Sequence, residues 1–230
     1  MQSNDIETVL SSCESELAER GRVDLRAAGF WRAVAAVKRS PELVARYASR
    51  IATIDRRAFR AAVPLAFPAS AGAALLVAGA GAGLVLLLLA FALPPDPAGL
   101  AIVLGMGALD ATTHGLAHLL AGTLAGIRFT DWYVDLPKRP QPGFKIDYAS
   151  YLRASPRARA WMHASGAIVT KIVPFACFPL AYAAHAPWWS GAVLLAFGLV
   201  QLATDALFSV RASDWKRFRR EMRLADRIPS

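Results

Sequence analysis

The stretch Ala61–Pro95, AAVPLAFPASAGAALLVAGAGAGLVLLLLAFALPP, carries no charged side chain and decides the fold class. As one helix it would exceed the roughly 30 Å hydrocarbon layer of a bilayer. Pro64 and Pro68 mark a break near its start, which places the first membrane-spanning helix at about 70–93. The small residues of its AGAGAG run, 78–83, would let a second helix approach closely.

Three further apolar blocks follow. A tight turn at Pro94-Pro95-Asp96-Pro97 leads to a second span at about 98–125. A polar connection, about 128–160, precedes a third span at about 161–184, expected to break or kink near Pro174 and Pro179. The turn His185-Ala186-Pro187 opens on Trp188 and Trp189, a pair suited to the membrane interface, and a fourth span at about 188–210. Residues 61–210 thus read as one transmembrane domain. Residues 1–60 read as a cytosolic or peripheral helical region, and 211–230 as a basic cytosolic tail.

Composition agrees with an all-α polytopic membrane protein that has amphipathic helices at both ends. Of 230 residues, 55% are hydrophobic, and the formal charge is +9. A basic balance can mean nucleic acid, but here the basic residues flank apolar blocks. Lys and Arg number 11 in the first 60 residues, 7 in the central connection and 7 in the tail, with none in the turns near 96 and 186. An even number of spans puts all three basic segments on one face, the cytosolic one, with both termini. That explains the charge without nucleic acid. Cys13 and Cys177 lie in unlike surroundings, which excludes a disulfide framework or a cysteine-based metal site. The first 60 residues contain no apolar run of signal-peptide type.

Ser40-Pro41-Glu42 is a helix start, with a serine cap, proline at the first position and an acid in the first turn. Leu43, Val44, Tyr47, Ile51 and Ile54 then share a side. That face suits the membrane surface, the rest of the domain or an ordinary soluble helix. In the tail, bulky and basic residues alternate at helical spacing from Asp214 to Leu224, a pattern suited to anionic lipid headgroups. The WYVDLPKRPQPGF stretch, 132–144, has too much proline and glycine for a long helix. It suits a short strand pair, a loop at a site mouth, or a plain connector.

Ionisable groups inside the spans are costly unless they face protein or water, so each one is a candidate for function. Asp110, His114 and His118 stand four residues apart in DATTHGLAHLLAG, 110–122. Side chains at i and i+4 lie one above the other, so the two imidazoles can bind one metal ion. Asp110, one turn back, can orient His114 or act as a base through a relay of water. His118 is about 15 Å of helix from Arg128, and Asp205 about 9 Å from Arg211, so the three groups match in depth. Two His and one Asp satisfy zinc with one position left open. The same residues also suit interhelical hydrogen bonding, with Asp205 paired to Lys171 or His163. Lys171 suits a buried ion pair with Asp205 or Asp110, or contact with a substrate carbonyl or lipid headgroup. His163, beside Trp161, suits the interface better than a ligand role. Membrane iron oxygenases need more than the four His present, and one haem is awkward to hold by residues four apart on one helix.

His-x-x-x-His on an intramembrane helix, followed by an Asp near the cytosolic end of the last span, resembles the site-2-protease type of intramembrane zinc metallopeptidase. The resemblance covers about residues 98–225. It implies zinc held by His114, His118 and Asp205. HASGAIV, 163–169, is similar to the Gly-rich helix that the family packs against its metal helix. LATDALFSVRASDWKRFRREMR, 202–223, resembles the tail of short divergent members, and the family's more usual Asn-Pro-x-x-Asp-Gly form is missing. The family motif is HExxH, and its Glu is the general base that takes a proton from the attacking water. This chain has Gly115 there, and glycine cannot accept a proton. Two functions follow from the resemblance. One is a divergent metallopeptidase that hydrolyses peptide bonds of membrane substrates with metal-activated water. The other is an inactive homologue that binds a membrane protein or peptide as a regulatory or assembly subunit.

Overall fold

A computed structural model describes residues 1–135, 139–208 and 213–227 of the chain. In order, the elements are α1 (Ser3–Arg20), α2 (Phe30–Val37), α3 (Pro41–Ala62), β1 (Leu65–Pro68), α4 (Ala69–Leu89), α5 (Pro95–Leu124), β2 (Phe129–Asp135), β3 (Arg139–Ile146), α6 (Tyr148–Arg153), α7 (Pro156–Ala183), α8 (Trp188–Phe208) and α9 (Asp214–Ala225). Helices dominate, as the apolar blocks require. The chain divides into two units: residues 1–72, 123–158 and 224–230, and residues 73–122 and 159–223.

The first unit has a helical core of its own. Ser40 accepts a hydrogen bond from the Leu43 amide at 3.3 Å and Pro41 opens α3, so the cap and first turn form as the sequence requires. The α3 side chains Tyr47, Ile51 and Ile54 are buried against Ile6, Leu10 and Leu17 of α1 and Phe30 and Val37 of α2. The apolar stripe of α3 is therefore covered by protein. Arg50 fastens α3 to α1 through both carboxylate oxygens of Glu14, at 2.7 Å each, and through Glu7. Fork-to-carboxylate pairing of this kind adds direction as well as strength.

A three-stranded antiparallel sheet in the order β1-β2-β3 completes the unit. The proline- and glycine-rich stretch is a strand pair: Trp132 lies opposite Phe144 and Tyr133 opposite Gly143, although residues 136–138 within it lie outside the described residues. The segment between Pro64 and Pro68, expected only as a break, is the edge strand β1, which pairs Leu65 with Val134 and Phe67 with Trp132. Proline withholds an amide donor, and an edge strand tolerates that. The sheet meets α3 through the Phe59–Tyr133 rings, 5.0 Å apart, and through a buried Lys145–Asp55 ion pair.

The second unit holds the long apolar helices. Four segments are long and apolar enough to cross a membrane: Ala69–Ala92, Pro95–Leu124, Pro156–Ala183 and Trp188–Leu207. This is a multi-pass integral-membrane architecture. Leu88 and Trp188 are 71% and 84% exposed, a costly surface in water and an ordinary one in lipid. The third segment starts at Pro156, earlier than the sequence suggested. Ser155 accepts from the Ala158 amide at 3.2 Å and Pro156 takes the first helical position, so the helix begins before the apolar run does. It then continues through Pro174 and Pro179 without a break. The expected end of the fourth span at 210 and start of the tail at 211 lie outside the described residues.

Small residues set the spacing of α4 and α5. A Cβ on Gly83 would meet the Gly105 carbonyl oxygen at 2.9 Å, and a Cβ on Gly105 would meet that of Gly83 at the same distance. The backbones thus touch directly, the close approach that small residues permit in lipid. Below this contact, Leu87, Ile102, Met106 and Leu194 form the buried core of the unit.

Candidate metal centre

Helix α5 carries His114 and His118 one turn apart, and their rings meet edge to face with centroids 4.7 Å apart. Their Nε2 atoms are 3.2 Å from each other. The Nδ1 of His118 lies 2.6 Å from the backbone carbonyl oxygen of Met162 on α7. That oxygen can only accept, so Nδ1 carries the proton and donates it. In the neutral ring Nε2 is then a bare lone pair. This is the arrangement by which an outer carbonyl fixes the tautomer of a metal-binding imidazole.

The third group is Asp214. Its Oδ2 lies 3.2 Å from His118 Nε2 and 3.5 Å from His114 Nε2. The sequence pointed to Asp205 instead, six residues before Arg211 in the last span. In the structure the Asp205 carboxylate faces the Lys171 ammonium at 3.1 Å and accepts a hydrogen bond from the Trp215 indole N–H at 3.0 Å. Among the described residues, His114, His118 and Asp214 form the group of His, Cys, Asp and Glu side chains compact enough to hold a metal ion.

Asp214 reaches the imidazoles because α9 packs on the start of α7. Ser213 caps α9 by accepting from the Lys216 amide at 3.3 Å, which puts Asp214 at the first helical position, where a negative charge suits the helix dipole. Seven residues on, Glu221 lies on the same face and makes a fully buried ion pair with Arg159 at 2.8 Å. Between them, Phe218 packs edge-on against Trp161 at 5.4 Å. The other Asp214 oxygen lies 3.6 Å from the Arg217 guanidinium, which adds positive charge beside the carboxylate.

The geometry of these three atoms can be compared with that of a zinc site. Donors about 2.0–2.1 Å from a tetrahedral ion stand about 3.3–3.4 Å from one another. The three separations here, 3.2, 3.2 and 3.5 Å, bracket that edge length. A cation among the three atoms would serve all of them at once, whereas a proton serves one pair. The donor set therefore fits a metal ion, and the remaining tetrahedral position is left to water or substrate.

The other sequence candidates have their own partners. Asp110 accepts from the Gln201 amide at 3.1 and 3.0 Å, which ties α5 to α8. Lys171 is in the Asp205 pair described above. His163 is buried, 5% exposed, inside the second unit. Gly115 contributes no side-chain function next to His114. Gly166 is the glycine of HASGAIV that matters to the site, because a Cβ there would lie 2.5 Å from His118 Nε2.

Asp214 was legible only as part of an amphipathic tail. The available signal was the seven-residue spacing of Asp214 and Glu221, two acids on one face of an otherwise basic helix. Compared with known proteins, the chain matches no family model, no curated protein and no solved structure. A helical membrane bundle with a His-His-Asp cluster is nevertheless consistent with an intramembrane-metalloprotease-like architecture.

Proposed function

We propose that the chain is a zinc-binding intramembrane protein of metallopeptidase-like design, with His114, His118 and Asp214 as the protein ligands. The convergence of the three donor atoms at tetrahedral edge lengths carries this reading. In it, the His118–Met162 hydrogen bond orients one ligand, and the Arg159–Glu221 pair holds the helix that supplies another. Zinc bound there would act as a Lewis acid and lower the pKa of an attacking water toward neutrality. The reaction class is then hydrolysis of peptide bonds in a membrane-embedded protein or peptide.

Gly115 favours a second reading, a zinc-bearing but non-catalytic subunit that binds a membrane protein or peptide. No carboxylate follows His114; Asp110, the candidate for a base acting through water, is engaged by Gln201, and Lys171, the candidate for contact with a substrate carbonyl, by Asp205. In both readings the termini and the 128–160 connection lie on the cytosolic side, as the Lys and Arg distribution requires. Metal analysis of detergent-purified protein tests the centre. About one zinc per chain, lost in His118→Ala and in Asp214→Ala, supports it. Wild-type protein purified without chelators and free of metal would overturn it.

A further inference from the structure

Helix α9 has two chemically distinct faces. Asp214, Phe218 and Glu221 share one and make the contacts with α5 and α7 described above. At 100° per residue, Lys216, Arg219, Arg220 and Arg223 centre on the opposite face, and all four are exposed. The helix lies where the apolar run of α7 begins, and it follows the last membrane-length segment in the chain. A four-cation stripe at that position faces a single abundant polyanion, the headgroup layer of acidic phospholipids.

We propose that this outer face binds acidic phospholipid and that its engagement seats α9, so that anionic lipid strengthens metal retention by presenting Asp214 to His114 and His118. The regulatory half of this proposal rests on the metal reading above. The link is one of orientation. Asp214 is at the first position of a helix whose other end is held by Glu221, so the ligand set closes when the Asp214–Phe218–Glu221 face turns toward α5 and α7. A headgroup layer that engages the opposite, cationic face leaves that inner face turned to the bundle, and each Lys or Arg near an anionic surface adds roughly fivefold to binding. By linkage, whatever binds the docked helix and not the undocked one tightens zinc by the same factor.

The test uses the full chain reconstituted in phosphatidylcholine vesicles and in vesicles with about one third phosphatidylglycerol. Two quantities are read: zinc affinity by chelator competition, and hydrogen exchange of the α9 amides. The wild type is expected to hold zinc about tenfold more tightly in the acidic vesicles, with slower α9 exchange. A variant with Lys216→Gln, Arg219→Gln and Arg223→Gln keeps good helix formers and leaves in place Arg220, which also meets Glu221 at 3.5 Å. It is expected to lose both responses while binding zinc as the wild type does in phosphatidylcholine. Equal zinc affinity and equal exchange of the wild type in the two vesicles would overturn the proposal, as would an unchanged lipid response in the variant. If neither vesicle yields bound zinc, the metal reading and the coupling both fail. The exchange data then decide the lipid surface by themselves: protection that is specific to acidic lipid and absent in the variant upholds it, and any other result overturns it.

Discussion

Gly166 on α7 stands against His118 on α5 so closely that a single added carbon would lie 2.5 Å from Nε2, 2.8 Å from Cε1 and 2.9 Å from Cδ2 of the ring. The ring cannot yield freely, because its Nδ1 is tied to Met162 at 2.6 Å. Gly166→Ala should therefore lower zinc affinity by about 10- to 100-fold, the usual loss when a ligand's support is disturbed. Alanine is the better helix former, so helix loss cannot be the cause. Retained helicity with weakened zinc is the expected result, and wild-type affinity would show that the ring has room to move.

Asp214 and Asp205 offer a direct comparison of ligand assignments. Asp214→Asn removes the carboxylate 3.2 Å from His118 and should abolish stoichiometric zinc. Asp205→Asn removes the partner of Lys171 and Trp215 and should leave zinc in place. Metal analysis of the two purified variants distinguishes them, and the reverse pattern would assign the ligand role to Asp205.

Arg159 and Glu221 are buried to within 2% of full enclosure. Arg159→Met strands a carboxylate in the interior, a change that typically costs about 3–5 kcal/mol. Release of α9 relieves that cost, so α9 amides should exchange faster and zinc should weaken. Arg159→Met with Glu221→Met removes both charges and should recover most of the protection. A double variant as loose as the single one would show that charge pairing is not what holds the helix.

Gly115→Glu supplies the proton acceptor that the HExxH pattern has at this position. If peptide hydrolysis is the chemistry of the site, cleavage of a membrane reporter peptide should rise by about 10²- to 10⁴-fold, with zinc content unchanged. Wild-type cleavage as fast as that of the variant, and abolished by His118→Ala, would mean that another group already performs the proton transfer.

Asp147 caps α6 by accepting from the Ser150 amide at 3.0 Å and faces Arg56 at 3.1 Å and Arg128 at 3.6 Å. Burial pushes its carboxyl up, but the Ser150 hydrogen bonds and the charges of Arg128 and Arg56 outweigh burial and leave it below the ordinary value of 3.8. A depressed folded value favours the charged form. Its contribution is thus complete above pH 3.8 and disappears as pH falls through the lower folded value. Asp147→Ala should destabilise the N-terminal unit by about 1–2 kcal/mol at neutral pH, read from amide exchange in α3 and α6. The gap between variant and wild type should narrow in acid; a gap independent of pH would exclude the charge as its source.

Much of this architecture was legible in one dimension. Long apolar runs with few charges located the four membrane-length helices, because lipid disfavours unpaired charge wherever it falls in a chain. The His114–His118 pair was equally legible, since residues four apart on a helix share a face whatever surrounds them. The β1 strand was not, because Leu65–Pro68 is a strand only by virtue of pairing with β2 some 65 residues later.

The sequence by itself determined the membrane class, the shared face of His114 and His118 on α5, and glycine instead of a carboxylate at position 115. Each of these depends on residue type and local spacing. Only the tertiary structure decided which carboxylate completes the cluster. Depth counting along the last span favoured Asp205, but it treats each helix as a straight rod at fixed height and takes ligands only from rods. Asp214 sits on a helix outside those spans, and a buried pair between residues 159 and 221 returns it to the imidazoles. That contact follows from desolvation and charge pairing between helices distant in sequence, which local spacing does not encode.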